Sequence, residues 1–362
     1  MRELSARLRY GHELCYNTKV ASACESDTPL RTKENMTKTL VYAPTADGLS
    51  LPVVDVTHSA FAVSISAAEL DAMSAQFLIE SRQRGEATPQ MMEAFGRSVL
   101  GRALMAASGT YLAGLSTYLF KLGAENLGDD AHPIDRAIAA SFPGICTRIR
   151  LQDMARLLAD GVLARTATHP SRRLLFINIA GGVAADSWNA LIHLHRECGA
   201  TLSTMEIDIL VLDREAAGPD FGAGAVTSLR APGQPLHGLA VSFRHAYYDW
   251  TKTESLATEM SGMDAEGIIC AISSEGGLFE YGSDAEILAN LEELNAATPP
   301  TAFVVGSVTR EGEVQRSTMR EGGLSLRPRT LAEFESLAQE SGWELEHVLE
   351  RPFSYNVRMR KQ

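Results

Sequence analysis

From residue 172 to the chain end, short apolar runs alternate with segments of helical period, and this alternation leaves few folds open. The runs read as strands are Leu174–Ala180, Ile207–Asp213, Leu239–Phe243, Gly267–Ser273 and Thr301–Val308. Helical patterns fall between or after them at Asp186–Cys198, Ser255–Met260, Ser283–Leu294 and Thr330–Ser341. Strands separated by helices are the pattern of a parallel sheet covered on both faces. Leu174-Leu175-Phe176-Ile177 is apolar at consecutive positions, which fits a strand buried on both sides. The chain is therefore predicted to be α/β, with a mostly parallel, Rossmann-like sheet.

In such a sheet, ligands bind outside the carboxyl ends of the strands near the switch point. The first strand runs into Ile179-Ala180-Gly181-Gly182-Val183-Ala184-Ala185-Asp186, and a helix follows. Small residues let the backbone approach a ligand, and the first helical turn offers unbonded N–H groups to an anionic group. The next strand ends in Asp213, an acid placed to accept hydrogen bonds from two ribose hydroxyls. A pyrophosphate-binding turn demands G-x-G-x-x-G, whereas this run has Ala180, Gly182 and Ala185. No Lys-Ser/Thr follows, so a P-loop is excluded.

Ahead of the sheet the texture differs. Residues 1–38 are polar and aperiodic and read as an arm. Thr39–Tyr42, Leu51–Val56 and Phe61–Ile65 are β-like, with a turn at Asp47-Gly48. Helical stripes then run through Leu70, Met73 and Phe77, through Met91, Phe95 and Val99, and through Tyr111, Leu115 and Tyr118. A hinge rich in Gly, Asn and Asp spans Gly123–Pro133, and a helix is expected over Arg148–Leu163. This gives three regions: an arm (1–38), a mainly helical cap or oligomerisation region (39–130), and a ligand-binding α/β domain (131–362).

The order of short motifs over residues 130–362 resembles class I S-adenosylmethionine-dependent methyltransferases. Within that class it is most similar to the leucine carboxyl methyltransferase and polyketide O-methyltransferase group. The motifs are Thr147-Arg148-Ile149-Arg150 with Asp153 after it, the Ala180–Val183 turn, Asp213, Tyr248-Asp249-Trp250, and the run Ser274-Glu275-Gly276 to Tyr281. Leu331–Leu349 resembles the helix, Ser-Gly-Trp turn and strand that end such domains. The chain departs from the group's pattern at Ala180 and Ala184, where glycines are usual, and in the long gap before Asp213.

The resemblance implies S-adenosylmethionine as cofactor and methylation of a small molecule, at oxygen or a carboxylate. It implies that Arg148 pairs with the cofactor carboxylate, since a guanidinium fork suits that group. Asn178, Ala180 and Gly182, with Gly181 in the same turn, would cradle the methionine part. Asp213 would take the ribose, Asp249 and Trp250 the adenine, and Glu275 with Ser274 beside it the region of the sulfonium or acceptor. A hydroxyl acceptor needs a base; His245 and Tyr281 stand near the strand ends and are the catalytic candidates. The altered turn also keeps open a repurposed binding protein on this fold. A nicotinamide oxidoreductase is disfavoured by the missing third glycine.

Composition narrows the partners. Basic residues number 33 against 45 acidic ones, a net charge of −12. That disfavours nucleic acid or an anionic membrane as partner. The five cysteines form no C-x-x-C pair, which suits a reducing cytoplasm, and Cys270 reads as a small core residue. His193 and His195 lie two apart on a predicted helix and share no face, so no metal site is expected. A homodimer through the helical region is compatible with the pattern.

Overall fold

The computed structural model describes residues 39–85, 87–260 and 267–362. The predicted arm, with Cys15 and Cys24, lies outside the described residues.

The α/β domain is built on a seven-stranded sheet. In chain order its strands are β3 (Arg173–Ile179), β4 (Glu206–Asp213), β5 (Val241–Tyr247), β6 (Ile268–Ser274), β7 (Phe303–Thr309), β8 (Trp343–Glu350) and β9 (Ser354–Lys361). Across the sheet they run β5-β4-β3-β6-β7-β9-β8. The first five strands are mutually parallel, while β9 is antiparallel to both β7 and β8. The chain builds outward from β3 to one side through β4 and β5, then returns to the other side at β6. This makes β3 the switch point, and the carboxyl ends of β3, β4 and β6 flank it.

The period-two alternation of side chains sorts the core into two layers. Leu174 and Phe176 join one cluster with Ile207, Ile209 and Val211. Leu175, Ile177 and Ile179 join the other, with Leu210, Cys270, Ile272 and Trp343. Cys270 is fully buried, and burial pushes its thiol up to about 12, as a core residue requires. The third sheet strand extends past the predicted Phe243 to Tyr247, because its outer residues pair with β4 although they are not apolar.

The N-terminal region starts with a small hairpin, β1 (Tyr42–Pro44) and β2 (Ser50–Pro52), closed by a turn in which Gly48 has φ +84°. Phe61–Ile65 forms no strand. The helices are α1 (Ala67–Gln83), α2 (Pro89–Arg97), α3 (Val99–Ala106), α4 (Gly114–Leu122), α5 (Pro133–Ala140) and α6 (Phe142–Thr166). The predicted second stripe is two helices, since Ser98 ends α2 and its hydroxyl caps α3. Ser141 caps α6, which extends the predicted Arg148–Leu163 helix at both ends.

Helix α7 (Ala185–Leu202) fills the long gap before Asp213 and kinks at Cys198. It also anchors the N-terminal region. Trp188 Nε1 donates to the Val54 carbonyl at 2.8 Å, and Asn189 Oδ1 accepts from the Val56 N–H at 2.8 Å. The Tyr118 hydroxyl of α4 donates to the Pro52 carbonyl and accepts from the Val54 N–H. The remaining helices are α8 (Ala217–Leu229), α9 (Glu254–Met260), α10 (Leu278–Tyr281), α11 (Asp284–Ala297), α12 (Glu313–Gly322) and α13 (Leu331–Glu340). Capping boxes start α11 (Ser283 with Glu286) and α13 (Thr330 with Glu333). Among the described residues no helix is long and apolar enough to cross a membrane.

Candidate functional site

The turn after β3 takes a shape that strongly favours glycine. Ala180, Gly182 and Ala184 have φ of +51°, +53° and +60°, so both alanines that stand in for glycines are left-handed. Such a conformation costs a non-glycine residue about 1–2 kcal/mol. The surrounding structure holds it there. Asp213, at the end of the neighbouring strand, accepts the Gly182 N–H on Oδ2 and the Glu215 N–H on Oδ1, each at 2.9 Å. Each oxygen keeps further lone-pair capacity for a ligand hydroxyl.

Asn178 and Ser274 lie below this surface. Asn178 is 1% exposed, and its amide donates to Ser273 Oγ at 2.5 Å and to Asp186 Oδ1 at 3.1 Å. Asn178 and Ser273 are register partners across β3 and β6, which brings the two polar side chains together. Ser274 Oγ accepts the Leu278 N–H and so starts α10. Both residues support the turn rather than face the cleft.

The arginine motif is rearranged relative to expectation. Arg148 turns away from the cleft: its guanidinium donates to the Phe61 carbonyl and rests against Gly123. Arg150 is the one that reaches the strand ends. It donates to Glu275 Oε1 at 3.1 Å and to Glu280 Oε1 at 2.7 Å. Lys121, from α4, donates to Glu275 Oε2 at 2.6 Å. Glu275, expected to offset a sulfonium charge, is thus already balanced by two buried cations. Asp153, the acid after the arginines, is bound by Arg351 and Asn356 and stitches α6 to the β8–β9 hairpin.

Asp249 Oδ1 accepts the N–H and hydroxyl of Thr251, while Arg214 stands 3.9 Å from its other oxygen. Trp250 forms one wall of the cleft. His245 is tied by Nε2 to the Asp213 carbonyl at 3.0 Å and lines neither the cleft nor the cavity behind it. Tyr281 lines both spaces, and burial raises its phenol well above the usual value, so it serves as a hydrogen-bond donor more readily than as a base.

Tyr111, Leu112, Gly114, Thr117 and Lys121 of the N-terminal region also line the cleft. Tyr111 lies edge-on to Trp250, with ring centroids 6.0 Å apart, and to Tyr281 at 6.2 Å. Asp213, Arg214 and Glu215 line the cleft with it. Gly114, the first residue of α4, lies against the turn so closely that a Cβ there would fall 2.6 Å from Gly182 Cα. The space left between these walls is about 40 Å³. Pockets for small ligands run to about 300–1,000 Å³. A nucleoside cofactor does not fit the cleft in this conformation, and of the expected cofactor residues Ala180, Gly181, Gly182, Asp213, Trp250 and Glu275 line it while Arg148, Asn178, Asp249 and Ser274 do not.

Behind Tyr281 is a second cavity of about 100 Å³, walled by Leu112, Phe120, Ile138, Leu326 and Phe353, with Arg150 and Glu280 at one side. Thr318 Oγ1 lines it, buried and without a hydrogen-bond partner. Sequence reasoning missed Tyr111, Lys121, Arg150 and Glu280. The available signals were a lone lysine inside the apolar run Tyr118-Leu119-Phe120-Lys121-Leu122, and the second arginine of Arg148-Ile149-Arg150.

No protein-family model matches the chain, and no curated protein matches it. Solved structures do resemble it. A possible exported protein from Bordetella parapertussis aligns with a TM-score of 0.52 at 17% identity, over 82% of this chain and 99% of that one. LepI, solved in complex with SAM, aligns at 15% identity and a TM-score of 0.36, over 57% of this chain and 46% of that one. The chain thus spans under half the length of LepI. Magnesium protoporphyrin IX methyltransferase (ChlM) from Synechocystis aligns at 12% identity with a TM-score of 0.40, over 62% of this chain and 89% of that one. At these identities the likeness concerns the fold alone, a mostly parallel seven-stranded α/β sheet with an antiparallel hairpin and an N-terminal helical region.

Proposed function

We propose that the protein is an S-adenosylmethionine-dependent methyltransferase of a small, largely apolar acceptor, methylated at oxygen or at a carboxylate. The observation that carries this reading is the Asp213–Gly182 contact at the switch point. It joins an acid with spare acceptor capacity to a left-handed small-residue turn, where a ribose hydroxyl pair and a methionine chain would lie side by side. Lys121 and Arg150, paired with Glu275 and Glu280, form a neutral buried cluster at the same edge. The cavity behind Tyr281 has the size and apolar lining for one ring of an acceptor, with Tyr281 between it and the cleft.

A second reading is favoured by the filled cleft: a protein on this fold that no longer transfers methyl groups and binds a ligand only in the Tyr281 cavity. Calorimetric titration with S-adenosylmethionine, S-adenosylhomocysteine and NADH separates the two. Binding of both adenosyl ligands and no binding of NADH is expected. No binding of either adenosyl ligand leaves the second reading.

A further inference from the structure

We infer that the N-terminal end of α4, with Tyr111 ahead of it, is an internal occupant of the nucleoside cleft, and that cofactor binding requires it to swing out. This rests on the cofactor reading above. Three observations place the segment there. Tyr111 lies edge-on to Trp250, where an adenine face would lie, and shares the cleft with Asp213, Arg214 and Glu215. Gly114 presses on Gly182, where the methionine chain would cross the turn. Leu112 lines both the cleft and the inner cavity, beside Tyr281.

The segment is held at both ends, at its start where the Gly109 N–H donates to the Gly323 carbonyl and the Thr110 carbonyl accepts from the Ser325 N–H, and at its far end by a buried ion pair, so the movable part is the stretch between. Gly109 and Gly123, with φ of +79° and +76°, bracket it, and both conformations favour glycine. Ala113 gives α4 no side-chain cap, so nothing in the helix itself fixes its entry angle. Lys121, seven residues after Gly114, is held by Glu275 with both side chains 5% exposed. At about 1.5 Å rise per residue the pair lies roughly 10 Å along the axis from Gly114. A swing of the stretch before Tyr118, whose hydroxyl stays bonded to Pro52 and Val54, lifts Gly114 and Tyr111 clear and leaves the buried ion pair intact.

A cofactor that binds only the open form has its apparent affinity reduced by the fraction open. Two edge-to-face ring pairs of ordinary strength correspond to a roughly tenfold handicap. The test is calorimetry with S-adenosylhomocysteine on the full chain, on Tyr111→Ala, and on Gly114→Ala, whose methyl cannot seat on Gly182. Both variants are expected to bind about tenfold more tightly. Amide hydrogen exchange then gives a sign: on ligand binding, residues 110–117 are expected to exchange faster while residues 180–184 exchange slower. Slower exchange in both segments, or equal or weaker binding by both variants, overturns the internal occupant and leaves the cofactor reading standing. No binding by any of the three chains overturns the cofactor reading and the occupant with it.

Discussion

Lys121 Nζ and Glu275 Oε2 lie 2.6 Å apart, each side chain 5% exposed, and the pair ties the helical N-terminal region to the end of β6. Arg150 binds the other oxygen of Glu275 and also Glu280, so two cations and two carboxylates balance inside one cluster. A buried charge left without its partner is far more costly than the pair is favourable.

Glu275→Gln is therefore expected to lower unfolding free energy by roughly 3–5 kcal/mol in urea titration. Adding Lys121→Met is expected to recover part of the loss, because the stranded charge is removed with its partner. Equal losses for the single and double variants would mean that the two residues do not interact.

Asp186 makes stability depend on pH. It is 1% exposed, its Oδ2 has no hydrogen-bond partner, and burial, with the Glu275 charge near, pushes its carboxyl up to about 6. The unfolded chain ionises this group at about 3.9. Between those values the folded state holds more protons, so the contribution is fully present below pH 4 and is lost as pH rises through 6. The full effect is about 3 kcal/mol. Asp186→Asn is expected to flatten the pH 4–7 slope of denaturation midpoints. A slope the same in both proteins would assign it to another group.

Asp213 carries both a fold role and a ligand role, and the two separate by substitution. Asp213→Asn keeps one oxygen acceptor beside the Gly182 and Glu215 N–H groups. It is expected to lose roughly tenfold or more in S-adenosylhomocysteine affinity, at the scale of a hydrogen bond to a charged group. Matched melting curves check that the fold is intact. Unchanged affinity would remove Asp213 from the ribose role.

Asp153 gives the opposite pattern. It accepts two bonds from Arg351, at 2.7 and 2.8 Å, and one from Asn356 at 2.8 Å, all on the hairpin side of α6. Asp153→Asn is expected to cost about 2 kcal/mol in denaturant titration and to leave ligand affinity unchanged. A loss of affinity without a loss of stability would bring Asp153 back to the cofactor motif.

The alternation of apolar runs with helical periods determined the sheet, because strands buried on both faces have no other way to read as continuous Val, Leu and Ile. The turn after Ile179 and the acid at Asp213 were legible for the same reason: local chemistry at a strand end is written in consecutive residues. The partners of the motif residues were not. Arg148 and Arg150 are two apart on a helix, about 200° around its axis, so only one of them reaches the strand ends, and the packing of α6 on the sheet chose Arg150. Asn178 looked like a ligand residue, but register with Ser273 draws it under the turn. Tyr111 and Lys121 sit 102 and 92 residues before Asp213, counted along the chain. Only the docking of α4 against the strand ends brings them to the cleft, and no local pattern encodes a contact made across that distance.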